Sequence, residues 1–380
     1  MEIEYDKEKL IELRRTLHQY PELSGQEEQT ARTIKQNLLE ANPDKIIEQL
    51  GGTGLAAVYE GKQPGPVIMF RCDLDALPID EFNEFEYKSR HQGIAHKCGH
   101  DGHMTIMSGL AAAISKTPPE RGRVVLLYQP SEENGQGAAR VLSDSRFRDI
   151  EPDRVFALHN LPGYPSGSVI IKKDTFAAAS KGMINKLYGK TSHAGEPENG
   201  ISPAWAMAGI IQQLTALPAN STFDDFTLIT IIHSRLGEIA FGTTPGYAEV
   251  MATLRTYSNS DMDKLTAESV EVVKSQAQSN RLKHEISWTE EFPATVNDSE
   301  AVDVLEGVAD IIKSQVIRIN EPLRWSEDFS NFTLKYPGAL FGLGSGKNTP
   351  QLHNPDYDFP EEIIDRGIAI FFGIYRHYLK

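Results

Sequence analysis

Apolar residues recur at helical spacing near the start of the chain, where Leu10, Leu13 and Leu17 fall on one face. Ser24-Gly25-Gln26-Glu27 reads as a capping box, and Ala31, Ile34 and Leu38 follow it at helical spacing. Short apolar runs of strand length come next, over 55–59, 67–70, 124–128 and 155–158, with a helical pattern over roughly 104–115 between the second and third. Strands alternating with helices imply a largely parallel sheet with helices on both faces, and continuous apolar runs suit strands covered from both sides.

The middle of the chain has a different rhythm. Residues 180–188 are strand-like, 201–217 helical, 226–233 and 247–257 strand-like, 260–279 helical and 282–288 strand-like. That order, β-α-β-β-α-β, predicts a ferredoxin-like unit with one antiparallel sheet covered by two helices. It is placed as an inserted lid over 177–289, dividing a first domain into 1–176 and 290–380. After it, 301–314 reads as a helix, 340–343 as a short strand and 361–379 as a closing helix that returns to the first domain.

The length of 380 residues agrees with two domains at the usual ~150 each. Hydrophobic residues make up 40% and charged residues 24%, a globular composition. The net charge of −15 argues against nucleic acid and anionic membranes as partners. The opening Met-Glu-Ile-Glu-Tyr-Asp has no apolar core for a secretory signal, and the most apolar stretch, 367–375, is too short to span a bilayer. Two cysteines, Cys72 and Cys98, are too few for a disulfide framework and favour a cytoplasmic location, with one isolated disulfide left open.

Four segments concentrate metal-ligand residue types: His96-Lys97-Cys98-Gly99-His100-Asp101-Gly102-His103, Gln129-Pro130-Ser131-Glu132-Glu133, Ala157-Leu158-His159-Asn160 and Gln351-Leu352-His353-Asn354-Pro355. The second and third lie just past the ends of predicted strands, as do Asp73 and Asp75, and open α/β sheets form their sites at that edge. A thiolate, three imidazoles and a carboxylate can hold one or two divalent transition ions, and a neighbouring carboxylate that is not a ligand can shuttle protons. Each piece alone has a plainer reading. Cys98 can be an inert buried thiol, His159 and His353 structural, Glu132-Glu133 a solvated pair, and Asp73 and Asp75 caps. Their joint occurrence after strands favours the metal site.

These motifs, with Arg71-Cys72-Asp73-Leu74-Asp75-Ala76-Leu77-Pro78, Gly189-Lys190-Thr191-Ser192-His193-Ala194 and Ser326-Glu327-Asp328-Phe329-Ser330, carry a family resemblance over nearly the whole chain. The chain resembles the metal-dependent aminoacylase and carboxypeptidase superfamily, in the branch of auxin-conjugate (indoleacetyl-amino acid) hydrolases, hippurate hydrolases and N-acetyl-diaminopimelate deacetylases. The resemblance implies a zinc-peptidase-like α/β catalytic domain with a mostly parallel central sheet, interrupted by the lid. It implies two divalent ions per subunit, manganese or zinc with cobalt or nickel also permitted, held by Cys98, His100, Glu133, His159 and His353. Glu132 is implied as general base, and His193 as a lid histidine that stabilises an oxyanion. Asp75 and Asp101 are implied to orient ligands, and Arg255 to pair with a substrate carboxylate, its plainer alternative being a surface salt bridge. His103 and Glu327 are left to packing.

Two departures from the family pattern fall in the lid. Pro197-Glu198 stands where relatives carry a Pro-His pair, and Gly242 where many carry an asparagine. Both bear on the amino-acid half of the substrate, not on the metal donors. The expected reaction is hydrolysis of an N-acyl amino acid, a small molecule, to a carboxylic acid and a free amino acid. Metal-bound hydroxide would be the nucleophile and Glu132 the base. The alternatives are a dipeptidase or carboxypeptidase acting on a short peptide, with Glu198 or Glu238 recognising a free amine, and a non-catalytic binding protein. Edge strands of the lid predict a homodimer.

Overall fold

The computed structural model describes residues 3–380. The chain opens with helices α1 (Lys7–Gln19) and α2 (Glu28–Glu40) and strands β1 (Lys45–Leu50), β2 (Gly54–Glu60) and β3 (Gln63–Asp73). Helix α3 (His100–Lys116) precedes β4 (Arg121–Gln129), α4 (Gly137–Ser143), β5 (Arg154–Pro162), β6 (Val169–Ile171) and β7 (Asp174–Ala177). Then come β8 (Ala179–Tyr188), α5 (Ala204–Asn220), β9 (Thr227–Leu236), β10 (Tyr247–Thr256), α6 (Asn259–Ser279) and β11 (Lys283–Phe292). The last part holds β12 (Thr295–Asn297), α7 (Ser299–Ile311), β13 (Val316–Arg318), α8 (Ser330–Thr333), β14 (Gly338–Gly346) and α9 (Ile364–Leu379). Two compact units result: the second comprises Ala177–Ala294 with Pro322–Ser326, and the first the remainder.

The first unit is built on a sheet of order β1-β2-β4-β3-β5-β14-β6-β13. Its centre, β4-β3-β5-β14, is parallel throughout. The antiparallel pairs lie toward the edges, at β1–β2, β2–β4 and β14–β6. Central strands are buried over unbroken runs, Val124–Gln129 in β4 and Ile68–Asp73 in β3, because helices cover both faces. The rings of Phe70 and Phe371 lie 5.0 Å apart and those of Phe341 and Phe371 5.8 Å apart, joining β3 and β14 to the closing helix α9.

The second unit has the β-α-β-β-α-β order, with an antiparallel sheet β11-β8-β10-β9. Burial along β10 alternates at every position, so the sheet has one packed face. Met183, Leu187, Val250 and Leu254 pack there with Ile210 and Leu214 of α5 and Leu265 and Val273 of α6.

Strands β1, β6 and β13 have no counterpart in the apolar pattern. The last two have three residues each, too short for any period, and β1 buries only Ile47 and Leu50. The capping box also reads differently in three dimensions. Helix α2 begins at Glu28 without a side-chain cap. Ser24 instead donates to Asp75 Oδ2 at 2.6 Å, and the buried Glu27 carboxylate accepts from the backbone N–H of Gly25 and of Ser131, each at 2.8 Å. Both residues are drawn to the ends of the sheet strands. Both cysteines are free and buried. No helix among the described residues is long and apolar enough to cross a membrane.

Phe371→Ala is expected to destabilise the first unit by about 3–5 kcal/mol, the usual cost of emptying a buried aromatic site. A urea midpoint unchanged from wild type, measured on metal-free protein, would contradict this packing.

Candidate metal centre

In the first unit the candidate residues gather where β3, β4 and β5 end and α3 begins. Strand β3 runs out at Asp73, two residues before Asp75, and β4 at Gln129, shortly before Glu132 and Glu133, while His159 lies in the last part of β5. Cys98 and Gly99 lead directly into α3 at His100. Gly99 has φ +93°, and a Cβ there would lie 2.5 Å from Asn160 Oδ1, so the turn into the helix against β5 needs glycine.

Sγ of Cys98 lies 3.4 Å from Nε2 of His159. Oε1 of Glu133 lies 3.8 Å from Nε2 of His100, and Oε2 of the same carboxylate lies 3.9 Å from Nε2 of His353. The donor atoms of Cys98, His100 and His159 are within 4.8 Å of one another, and so are those of Cys98, Glu133 and His353. Cys98 thus belongs to two donor groups. It is buried with His100 and His159, Glu133 is partly buried, and the His353 side chain is 51% exposed.

The donors fit divalent ions. Nε2 of His100 and Oε1 of Glu133 are buried without a hydrogen-bond partner, a costly state unless something takes up their lone pairs. Charge gives a second reason. Burial, then Glu133 and Glu132, push the Cys98 thiol well above its usual range. Burial, then Asp75, push Glu133 up, and burial, then Glu327 and Glu133, push Glu132 up. Groups that suppress one another's ionisation in this way are stabilised as anions by cations placed among them.

Hydrogen bonds aim the donors. Nδ1 of His100 donates to the carbonyl of Asp75 at 2.8 Å, and Nδ1 of His159 to the carbonyl of Asn160 at 2.9 Å. A carbonyl only accepts, so both rings keep their Nε2 lone pair for the cluster. The Asp75 carboxylate accepts from the backbone N–H of Glu132 at 3.1 Å and of Glu133 at 3.0 Å, which sets the turn that carries both glutamates. Ser131, at the start of that turn, has φ 53°, and His353 has φ 66°. Left-handed backbone at non-glycine residues persists only where the surroundings enforce it.

Asp101, expected to orient a ligand, touches none directly. Its carboxylate accepts from Nε of Arg14 at 2.9 Å and Nδ1 of His18 at 2.7 Å. Neighbouring residues of a helix do not share a face, so Asp101 cannot follow His100 into the cluster. Asp73 lies in the place expected for it. Its Oδ1 accepts from Nδ1 of His103 at 2.8 Å, its Oδ2 lies 3.6 Å from Nε2 of His100, and Arg71 donates to it at 2.9 Å. Burial pushes Asp73 up, but His100, His103 and Arg71 outweigh it and hold the carboxylate well below its usual range. In sequence, Asp73 stands after a predicted strand and inside the 71–78 motif, with a helix or turn cap as its plainer reading.

In the second unit, His193 is exposed on the loop after β8. The backbone N–H of Gly195 donates to its Nδ1 at 3.1 Å, so the neutral ring carries its proton on Nε2. Arg255, on β10, donates through one guanidinium nitrogen to the carbonyl of Arg324 at 2.9 Å and to Oγ of Ser326 at 3.1 Å. It forms no ion pair among the described residues, and burial lowers its pKa. The surface salt bridge considered for it is therefore absent among those residues. Glu238 is paired with Arg235. A Cβ at Gly242 would meet nothing within 4 Å, so packing does not require glycine there.

The profile of peptidase family M20/M25/M40 matches residues 69–377. A hippurate hydrolase of Campylobacter jejuni is 29% identical over 371 residues, covering 97% of this chain and 96% of the relative. An N-acetyl-L-cysteine deacetylase of Bacillus subtilis is 31% identical over 359 residues, covering 94% of this chain and 85% of the relative. The crystal structure of the YXEP protein of Bacillus subtilis, described as a dinuclear metal binding peptidase from the M20 family, superposes with a TM-score of 0.82. It is 27% identical, with 97% of each chain covered. Matched along most of its length, and carrying a cluster of metal donors where its strands end, the chain belongs to peptidase family M20/M25/M40.

Proposed function

We propose that this protein is a metal-dependent amidohydrolase that cleaves the amide bond of N-acyl amino acids to a carboxylic acid and a free amino acid. The observation that carries the reading is the convergence of two donor groups on one thiol, Cys98, with Glu132 beside them. The named activities of the hippurate hydrolase and the N-acetyl-L-cysteine deacetylase support the substrate class.

In this reading Cys98, His100, Glu133, His159 and His353 hold two divalent ions, manganese or zinc, with cobalt or nickel as substitutes, and Cys98 is within reach of both. Such ions, when bound, acidify water and polarise a carbonyl. Glu132 takes the proton of the attacking water and returns it to the leaving nitrogen. His193, with its proton held on Nε2 by the Gly195 amide, donates to the oxyanion of the tetrahedral intermediate. The remaining donors of Arg255 pair with the substrate carboxylate in bidentate fashion. His193 belongs to the second unit. The free-amine alternative loses one of its candidate residues, because Glu238 is already paired with Arg235. A cytoplasmic homodimer belongs to the same proposal, supported by the free thiols and by the unpaired edges of the second unit's sheet.

Hydrolysis of a panel by metal-reconstituted protein tests the proposal: N-acetyl, N-benzoyl and N-indoleacetyl amino acids beside free dipeptides. Cleavage of the blocked amides is expected, and cleavage of dipeptides alone would move the protein to the peptidase alternative. Glu132→Ala should keep its full metal content by atomic absorption and lose turnover; lost metal would make Glu132 a ligand instead. His193→Ala should lower kcat by about 10²–10³-fold, the usual loss of an oxyanion donor. An unchanged kcat would assign His193 to structure.

A further inference from the structure

Lys97 stands next to Cys98 and has no part in the chemistry above. Its side chain is fully buried. Lysine is almost never buried that completely unless its charge is paired. Here Nζ donates to Oε1 of Glu81 at 2.6 Å and to the backbone carbonyl of Tyr357 at 2.7 Å. The backbone carbonyl of Lys97 in turn accepts from the N–H of His353 at 2.8 Å. One residue therefore grips the 353–357 turn at both ends, through its main chain at the start and its ammonium at the finish. Within the turn, the N–H of Tyr357 donates to the carbonyl of Asn354 at 3.0 Å. On its far side, Tyr357 Oη accepts from Nδ2 of Asn160 at 2.6 Å.

Resting on the reading of His353 as a ligand, we infer that Lys97 is the positioning residue that holds His353 at the metal centre. Of the proposed ligands, His353 has the side chain that most needs holding. It is half-exposed, and its φ of 66° is one that a non-glycine residue leaves when released. His100 and His159 are fixed by carbonyls of Asp75 and Asn160 that accept from their rings. His353 is fixed through its backbone, and Lys97 supplies that hold. The placement also links the two donor segments, since the residue that leads into Cys98 sets the distance from Cys98 to His353.

The test is a Zn²⁺ titration of metal-free protein against a chromophoric chelator, run on wild type, Lys97→Met, His353→Ala and the double variant. Lys97→Met is expected to weaken one of the two ions by about 10–100-fold and to leave the other unchanged. The weakened ion should be the one lost in His353→Ala, and the double variant should bind no more weakly than His353→Ala alone. Lys97→Met with both affinities intact, with both reduced alike, or with a loss that multiplies that of His353→Ala would overturn the inference. If His353→Ala by itself keeps both wild-type affinities, the ligand reading fails and takes the inference with it, an outcome visible without the Lys97 variant. Should Lys97→Met not fold, adding Glu81→Gln removes the buried charge left behind, and the same cycle is run on that pair of changes.

Discussion

The guanidinium of Arg71 is buried among acids. It donates to Asp73 at 2.9 Å, Asp328 at 2.7 Å and the amide oxygen of Gln129 at 2.9 Å, and lies 3.0 Å from Glu327. These partners come from the end of β3, the end of β4 and the stretch before α8. One side chain thus ties together three separated pieces of the first unit. Breaking a buried ionic set by removing one partner costs about 3–5 kcal/mol, because the remaining charges have no water to turn to. Such a set is weak evidence for stability and better evidence for placement. Asp73 supports His103, and Glu327 and Asp328 lie beside Glu132. The strand ends can gather this much acid because Arg71 supplies a positive charge within it, and the proposed ions supply more.

The parallel centre of the sheet explains why the donors meet where they do. Strands β3, β4 and β5 all end on the same side, so the residues following each are delivered to one edge. Helix α3 starts at that edge, and the dipole of its N-terminus favours an anion at Cys98, just before it. Loops alone would not hold these groups still. Backbone amides and carbonyls do so, with Asp75 serving both kinds of contact: its carboxylate caps the Glu132-Glu133 turn and its carbonyl turns His100.

The second unit contributes chemistry of another kind. Its sheet packs on one face; β10 carries Arg255, whose guanidinium is free of carboxylates among the described residues, and the loop after β8 carries His193, whose Nδ1 accepts from the Gly195 N–H.

Periodicity carried two rhythms along the chain, one for each kind of sheet. Strands covered on both faces leave unbroken apolar runs such as Val124–Tyr128, and a half-covered sheet leaves the alternation of β10. The donors were legible too, since cysteine, histidine and acid cluster in few motifs by accident. What the chain's local order did not reveal was the set of supports. Ser24 and Glu27 looked like a helix cap, yet they bond to Asp75 and Ser131, 51 and 104 residues away. Asp101 sits beside His100 in sequence but turns to Arg14 and His18, while Asp73 faces the cluster. The hold of Lys97 on Tyr357 crosses 260 residues. Composition, period and motif belong to neighbours along the chain, so the amino-acid order alone fixed the two kinds of sheet and the residue types gathered in its motifs. A hydrogen bond between distant segments leaves no periodic trace, so which carboxylate backs which ligand was decided only when the chain folded.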